Sequence, residues 1–350
     1  MNRLHTLDYL RGLSAFGIML FHYMSWTFGE FDSADFMGRV GIYGVAIFYI
    51  LSGLTLQYVY KDTPFEKKGQ SANFFVRRFL RIYPLLWLTT ILSIFIIHGG
   101  IITLTDILLN LSGLFGFLDW SGGIAIGAWS IGNELVFYCF LPLFVWLHRR
   151  SNLAFAMFSI IIAFIYCYFA FVLIDPSMAF SDTQQRLYYF NPLNQVFLFL
   201  SGYLLGVLFE KKSFSQVTVL LLLLLGISVF VLYPVSGPRI RLVADEARLV
   251  FTACCIAICL GFYKYSGHVP ALISRPLKTL GEISYALYML HPIIHLIVRY
   301  PIDYIRGHFF AVPESVRFFS ALFLSLAVSY LVYHRFEKFF IRLGKPTKRA

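Results

Sequence analysis

Charge is scarce in this sequence: only 13% of its 350 residues are Asp, Glu, Lys or Arg, against 59% hydrophobic ones. That scarcity excludes an ordinary soluble domain, which carries roughly a quarter of its residues charged. Negative charge is the scarcer sign, with 18 acidic against 29 basic residues and a net charge of +11. Nucleic acid is nevertheless not the implied partner. No soluble basic module exists; the Lys and Arg residues sit in short loops between apolar runs, where the positive-inside rule accounts for them. The five cysteines (Cys139, Cys167, Cys254, Cys255, Cys259) have no metal-ligand spacing, so they read as small packing residues and no metal site is expected. A small-x-small cleavage site is also missing after the first apolar run, which continues into Phe28-Gly29-Glu30; the run is read as a retained span rather than a secretory signal. No internal repeat or low-complexity linker is apparent, and with them go the paired inverted halves of many transporters.

What is present is a succession of apolar runs, each near the ~20 residues that cross a bilayer as a helix. Ten are predicted, over 7–27, 42–60, 82–98, 128–147, 153–174, 191–209, 217–233, 247–263, 283–298 and 318–333. The expected fold is an all-α polytopic bundle of about ten transmembrane helices, residues 1–350 forming a single domain with both termini cytoplasmic. Basic groups concentrate in the segments this places inside: Lys61 to Arg81, Arg149-Arg150, Lys211-Lys212 and the tail. The inverse orientation would put them outside, against the charge bias. Between the third and fourth runs lies a Gly-rich outer segment with an amphipathic stretch near residues 106–118.

The first run is the informative one, because it carries Asp8, Arg11 and His22. At about 100° per residue, Arg11 and His22 return to within roughly 20° on one helix face, about 16 Å apart. Ionisable groups at membrane depth are costly and mark a substrate or proton path; the plainer alternative is a snorkelling arginine and a packing histidine.

Three further polar islands interrupt the runs. At the inner mouth of the third span stand Arg77, Arg78 and Arg81, with Arg78 and Arg81 on one face. Their forked donors suit phosphate, although an inner-surface anchor has the same composition. The fourth span opens with Trp129, Ser130, Asn133 and Glu134. Counted from the outer boundary, Glu134 comes out level with His22, where a carboxylate would orient the imidazole and raise its basicity. In the ninth span Ser284, Tyr288 and His291 follow i, i+4, i+7, with Tyr285 beside them, a stripe that lines a cavity or glues helices.

Together these residues resemble the acyltransferase 3 family of integral membrane acyltransferases. The spacing of Arg11 and His22 is similar to that family's first-span signature, and Arg77 to Pro84 looks like its second. Further blocks are Phe48 to Gly53, with Ser52; Trp129-Ser130 with Glu134; and Ser284-Tyr285 with Tyr288 and His291. They fall in family order along nearly the whole chain, with Asp8-Tyr9 where many members have Asp-Gly.

The resemblance implies transfer of an acyl group, commonly acetyl from acetyl-CoA, to a hydroxyl of a surface carbohydrate or lipid-linked sugar. The chain looks like the stand-alone type, without an appended hydrolase-like domain, and a bacterial cytoplasmic (inner) membrane is the expected location. On this reading acyl-CoA is a co-substrate, nothing is permanently bound, and the carbohydrate or lipid-linked sugar acceptor and membrane lipids are the other partners. His22, Glu134 and Arg11 are the expected catalytic group, with Arg77, Arg78 and Arg81 holding the donor. Ser52, Trp129, Ser130, Asn133, Ser284, Tyr285, Tyr288 and His291 are the expected cavity lining. The competing reading is a transporter or flippase for a glycolipid or metabolite, which would work without CoA turnover.

Overall fold

Apolar runs without extended loops leave a chain one way to satisfy its backbone in lipid, which is to fold every run into helix. The computed structural model describes residues 5–96 and 101–344, and among these no strand occurs. The helices are α1 (His5–Phe28), α2 (Phe36–Tyr60), α3 (Gln70–Ile96), α4 (Leu104–Ser112), α5 (Phe115–Leu118), α6 (Ala128–Arg150) and α7 (Asn152–Tyr168). They continue with α8 (Thr183–Phe190), α9 (Pro192–Phe209), α10 (Gln216–Leu232), α11 (Asp245–Lys264), α12 (Ala271–His308), α13 (Glu314–Val332) and α14 (Lys338–Leu343). π-helical turns at Phe169–Leu173 and Tyr333–Glu337 extend α7 and α13.

Among the described residues, all ten predicted spans fall on helices. Among the described residues, eight helices are long and apolar enough to cross a membrane by length and composition. The other two are α10, with 17 residues, and α1, long enough at 24 residues but diluted by its polar side chains. The first four residues, Ile97 to Gly100 at the end of the third span, and the basic tail from Lys345 lie outside the described residues.

Several helices run further than their apolar cores. The third begins at Gln70, not 82, so Arg77, Arg78 and Arg81 are helical; Arg is a good helix former, and its long stem allows a helix to continue past the hydrocarbon boundary. The ninth span is part of a 38-residue helix that runs through Pro276, Pro292 and Pro301. Local chemistry fixes the starts. Ser151 accepts from the Ala154 amide at 3.2 Å and Ser215 from Thr218 at 3.0 Å, while Asn191 accepts from Leu193 at 2.9 Å with Pro192 in the first turn, each cap filling one orphan donor.

Lipid offers no hydrophobic drive for helix association, so close backbone approach matters. At the α2–α9 crossing a Cβ on Gly53 would stand 1.9 Å from the Phe199 carbonyl oxygen, and one on Gly202 equally close to that of Ile50. At the α1–α12 crossing a Cβ on Gly281 would stand 2.3 Å from the Asp8 carbonyl oxygen. These glycines set the two helix pairs that frame the site.

Not every buried cation belongs to a site. Arg39 is 3% exposed and donates to the carbonyls of Phe230, Val231 and Tyr233 at 2.7–2.9 Å, closing the end of α10. Arg248 lies 4.1 Å over the Tyr166 ring. Both are held by structure alone.

Candidate active site: two cavities that share Tyr288

Helix α1 passes two cavities in succession. The first, about 820 Å³, is lined by Arg11, Ser52, Thr55, Arg78, Arg81 and Glu134, with Tyr49, Ser130, Tyr138, Ser284, Tyr285 and Tyr288 completing its polar wall. The second, about 1250 Å³, takes His22, Ser25 and Trp26 from α1, Ser121, Gly123 and Ala125 to Gly127 from the segment before α6, Trp129 from the first turn of α6, and Tyr189, Phe190 and Arg239. Val45 and Tyr288 belong to both walls. The face predicted to carry Arg11 and His22 therefore meets one cavity at its first residue and the other at its second.

The first cavity is cationic. Three guanidiniums line it against one carboxylate, Glu134. Arg11 is anchored by Asp8 at 3.2 Å and by the Thr55 hydroxyl at 3.4 Å. Arg78 sits in an aromatic cage, its guanidinium 5.7–5.8 Å from the centres of Tyr60, Phe74 and Tyr138, which holds the cation without neutralising it. Glu134 accepts hydrogen bonds from Ser52 at 3.0 Å and Tyr138 at 2.5 Å. Arg77 is not part of this wall; it packs beside Gly344 of the last turn, on another side of α3.

The second cavity is aromatic. The Trp129 ring stacks on Phe190 at 4.2 Å and 11°, and Trp26 stacks on His22 at 4.9 Å and 17°. At the rim, Arg239 pairs with the exposed Glu30 at 2.7 Å. Flat rings beside a guanidinium–carboxylate pair give this wall both apolar faces and hydrogen-bonding groups.

His22 is held from behind by a second imidazole. Its Nδ1 lies 3.0 Å from Nε2 of His291, while Nδ1 of His291 lies 3.0 Å from the Leu287 carbonyl. A carbonyl only accepts, so His291 carries its proton on Nδ1, and its bare Nε2 accepts from the Nδ1–H of His22. The nitrogen left over on His22, Nε2, is then an unprotonated lone pair at the cavity wall. Tyr23 locks the arrangement, its hydroxyl donating to the His291 carbonyl at 2.8 Å and meeting Ser325 of α13 at 2.5 Å.

The cavities are parted by a small latch. Tyr288 Oη lies 2.8 Å from Ser130 Oγ and 3.2 Å from the Gly127 carbonyl. Gly127 has φ +84°, a left-handed conformation that side chains disfavour, and a Cβ there would meet Tyr288 Oη at 3.1 Å.

Several sequence expectations are corrected here. Glu134 and His22 do not meet: Glu134 faces Ser52 and Tyr138 in the first cavity, and the partner of His22 is His291. Counting depth from the start of α6 assumed that this helix begins at the membrane surface. Instead, the segment before it dips inward, with Ser121, Gly123 and Ala125 to Gly127 lining the same cavity as His22. Asn133 and His291 line neither cavity; Asn133 is fully buried and donates to Tyr49 at 3.4 Å, and His291 is 1% exposed behind His22. Trp129 lines the second cavity, and Ser52, Ser130, Ser284, Tyr285 and Tyr288 line the first. Sequence reading missed Trp26 and Arg239. Trp26 was legible, standing one helical turn beyond His22, whereas Arg239 reaches the cavity only through a fold-dependent loop.

Comparison with known proteins bears on the family of the chain. The family model described as "Acyltransferase domain", that of the acyltransferase 3 family, matches residues 4–334. Nodulation protein 10 of Rhizobium leguminosarum bv. viciae is 25% identical over 186 residues, covering 44% of this chain and 47% of that protein. The chain thus spans about half the length of this curated relative. With the family match running through every helix that builds the two cavities, the chain belongs to the acyltransferase 3 family of integral membrane proteins.

Proposed function

We propose that the protein transfers an acyl group, acetyl in the simplest case, from acyl-CoA to a hydroxyl of a carbohydrate or lipid-linked sugar. The observation that carries this reading is the pair of unlike cavities sharing Tyr288 and Val45, one lined by three arginines and the other by tryptophans and His22. Arg11, Arg78 and Arg81 suit the phosphates of CoA, for which forked guanidinium donors are the best match in a protein. The basic segment from Lys61 to Arg81 supports a cytoplasmic position for that cavity, the side on which CoA is found. The pantetheine arm then points past Tyr288, bringing the thioester to the edge of the aromatic cavity.

There the acceptor hydroxyl stands against His22. Its oxygen attacks the thioester carbonyl carbon while His22 Nε2 takes its proton, as a general base. The positive charge that forms on His22 strengthens its Nδ1–H bond to His291. Collapse of the tetrahedral intermediate breaks the carbon–sulfur bond, and His22 returns the proton to the departing CoA thiolate. Tyr288 Oη and Ser130 Oγ, at the junction, are the hydroxyl donors nearest to the developing oxyanion. In the ground state they satisfy one another and the Gly127 carbonyl.

The reading is tested with purified protein, radiolabelled acetyl-CoA and total membrane glycans from a strain lacking the gene. Label should pass to hydroxylamine-sensitive esters on the glycan fraction with release of free CoA. Glycan movement across vesicle membranes without CoA release would replace this reading with a transporter.

A further inference from the structure

Beyond the two cavities, α12 carries a third feature, which runs on from His291 to two residues that transfer does not use. His291, His295 and Arg299 follow one another at i, i+4, i+8 on one face, so Arg299 stands about 12 Å along the helix from His291. A chamber of about 680 Å³ opens there, lined by Trp26, Ile126, Pro292, His295, Leu296 and Arg299 with Tyr300 at its edge. Trp26 and Ile126 also line the aromatic cavity, so the two spaces share a wall. Trp26 has His22 stacked at 4.9 Å and His295 at the same centroid distance, tilted 48°.

Two observations give this chamber a chemistry. His295 is 3% exposed, yet its Nε2 is buried without a hydrogen-bond partner, a costly state unless a ligand supplies one. The charges around it do not balance. Arg299 pairs with Asp303 at 3.0 Å, Arg317 with Asp303 at 3.6 Å and with Glu314 at 2.6 Å, and Arg306 with Glu314 at 2.6 Å. Three guanidiniums thus share two carboxylates, leaving one positive charge. The bond from Arg299 uses only Nε, and among the described residues no hydrogen bond or ion pair engages its two Nη groups. The remaining wall is Ile126, Pro292 and Leu296, with Tyr300 56% exposed, the mix of apolar surface, aromatic rim and arginine found where a span leaves the hydrocarbon.

We propose that this chamber binds the phosphate of a membrane lipid, with Arg299 and His295 on the headgroup and Ile126, Pro292 and Leu296 against the start of the tail. A phosphate oxygen gives His295 its missing partner and Arg299 a bidentate one, and the tail remains in the bilayer. Because the chamber and the cavity holding His22 share the wall made by Trp26 and Ile126, a sugar carried on such a lipid reaches the aromatic cavity without leaving the membrane. That last connection rests on the proposed function; the binding itself does not.

Native mass spectrometry of the purified full chain in detergent tests it, with dioleoyl phosphatidic acid, geranylgeranyl phosphate, dioleoylglycerol and inorganic phosphate as probes. Wild type should retain the two lipid phosphates at least about tenfold more strongly than dioleoylglycerol, which has the tails alone. Arg299→Gln should lose that preference. Leu296→Trp, which fills the chamber and leaves every charge in place, should lose it too, and Arg275→Gln at the other end of α12 should keep it. Stronger retention of geranylgeranyl phosphate supports a lipid-linked acceptor as the occupant, and stronger retention of phosphatidic acid supports a bilayer lipid. Equal retention of dioleoylglycerol, unchanged binding in both chamber variants, or displacement by millimolar inorganic phosphate overturns the proposal. No acyl donor is present, so a protein that binds lipid phosphate but transfers nothing counts against the proposed function alone.

Discussion

His22 and His291 face each other with Nδ1 and Nε2 3.0 Å apart, across the α1–α12 crossing that Gly12 and Gly281 allow. Residues 269 positions apart in sequence thereby form one proton-handling unit. The Leu287 carbonyl sets the tautomer of the first ring, and the first ring sets that of the second.

His291 therefore acts through His22. Replacing it with Ala frees the His22 ring to rotate and to adopt the other tautomer, and kcat should fall about 10²-fold with KM for acyl-CoA nearly unchanged. His291→Gln, whose side-chain oxygen can accept from Nδ1–H, should recover part of that loss. Steady-state kinetics at matched protein levels read both, and a rise in KM alone would assign His291 to binding.

The arginine-lined cavity makes a discriminating prediction on α3. Arg78→Gln with Arg81→Gln should raise KM for acyl-CoA about tenfold or more while kcat stays within a few-fold, since both side chains line the cavity and charge-assisted phosphate contacts are lost. Arg77→Gln should leave KM near wild type, because Arg77 packs beside Gly344. Equal effects from all three positions would reduce the cluster to an inner-surface anchor.

Much of this was legible in the sequence, and the reasons are physical. Lipid demands continuous apolar helices, so all ten spans and the polar interruptions in them stand out from composition alone. Arg11 and His22 could be placed on one face because helical periodicity is rigid over three turns. What could not be read was anything that depends on how deep a helix starts. Glu134 was assigned to His22 because α6 was given a surface origin, whereas the segment ending at Gly127 folds inward. The pairing of His22 with His291 likewise depends on α1 lying directly against α12, which no local pattern encodes.

The glycine crossings carry stability rather than chemistry. Gly202→Val should separate α2 from α9, because its Cβ would stand 1.9 Å from the Ile50 carbonyl oxygen and backbone cannot yield as a flexible side chain does. Size-exclusion profiles in detergent should show a large loss of monodisperse protein, whereas Gly307→Ala, with nothing within 4 Å, should behave as wild type. A monodisperse Gly202→Val protein would contradict the crossing.

Trp26 should matter to the acceptor more than to the donor. Trp26→Ala removes the ring stacked on His22 and should raise KM for the glycan acceptor several-fold, stacking contacts of this kind being worth roughly 0.5–1.5 kcal/mol. Donor KM should hold, since Trp26 lies outside the arginine-lined wall. An effect confined to the donor would reverse the assignment of the two cavities.

The most direct measurement is acyl transfer by His22→Gln, set beside binding of CoA by the same protein. Gln keeps much of the imidazole's volume but offers no proton acceptor of comparable basicity. The account predicts that transfer falls by about 10² to 10⁴ while CoA affinity stays within a few-fold of wild type, because the arginine-lined cavity is untouched. Near-normal transfer by His22→Gln at matched levels would contradict it.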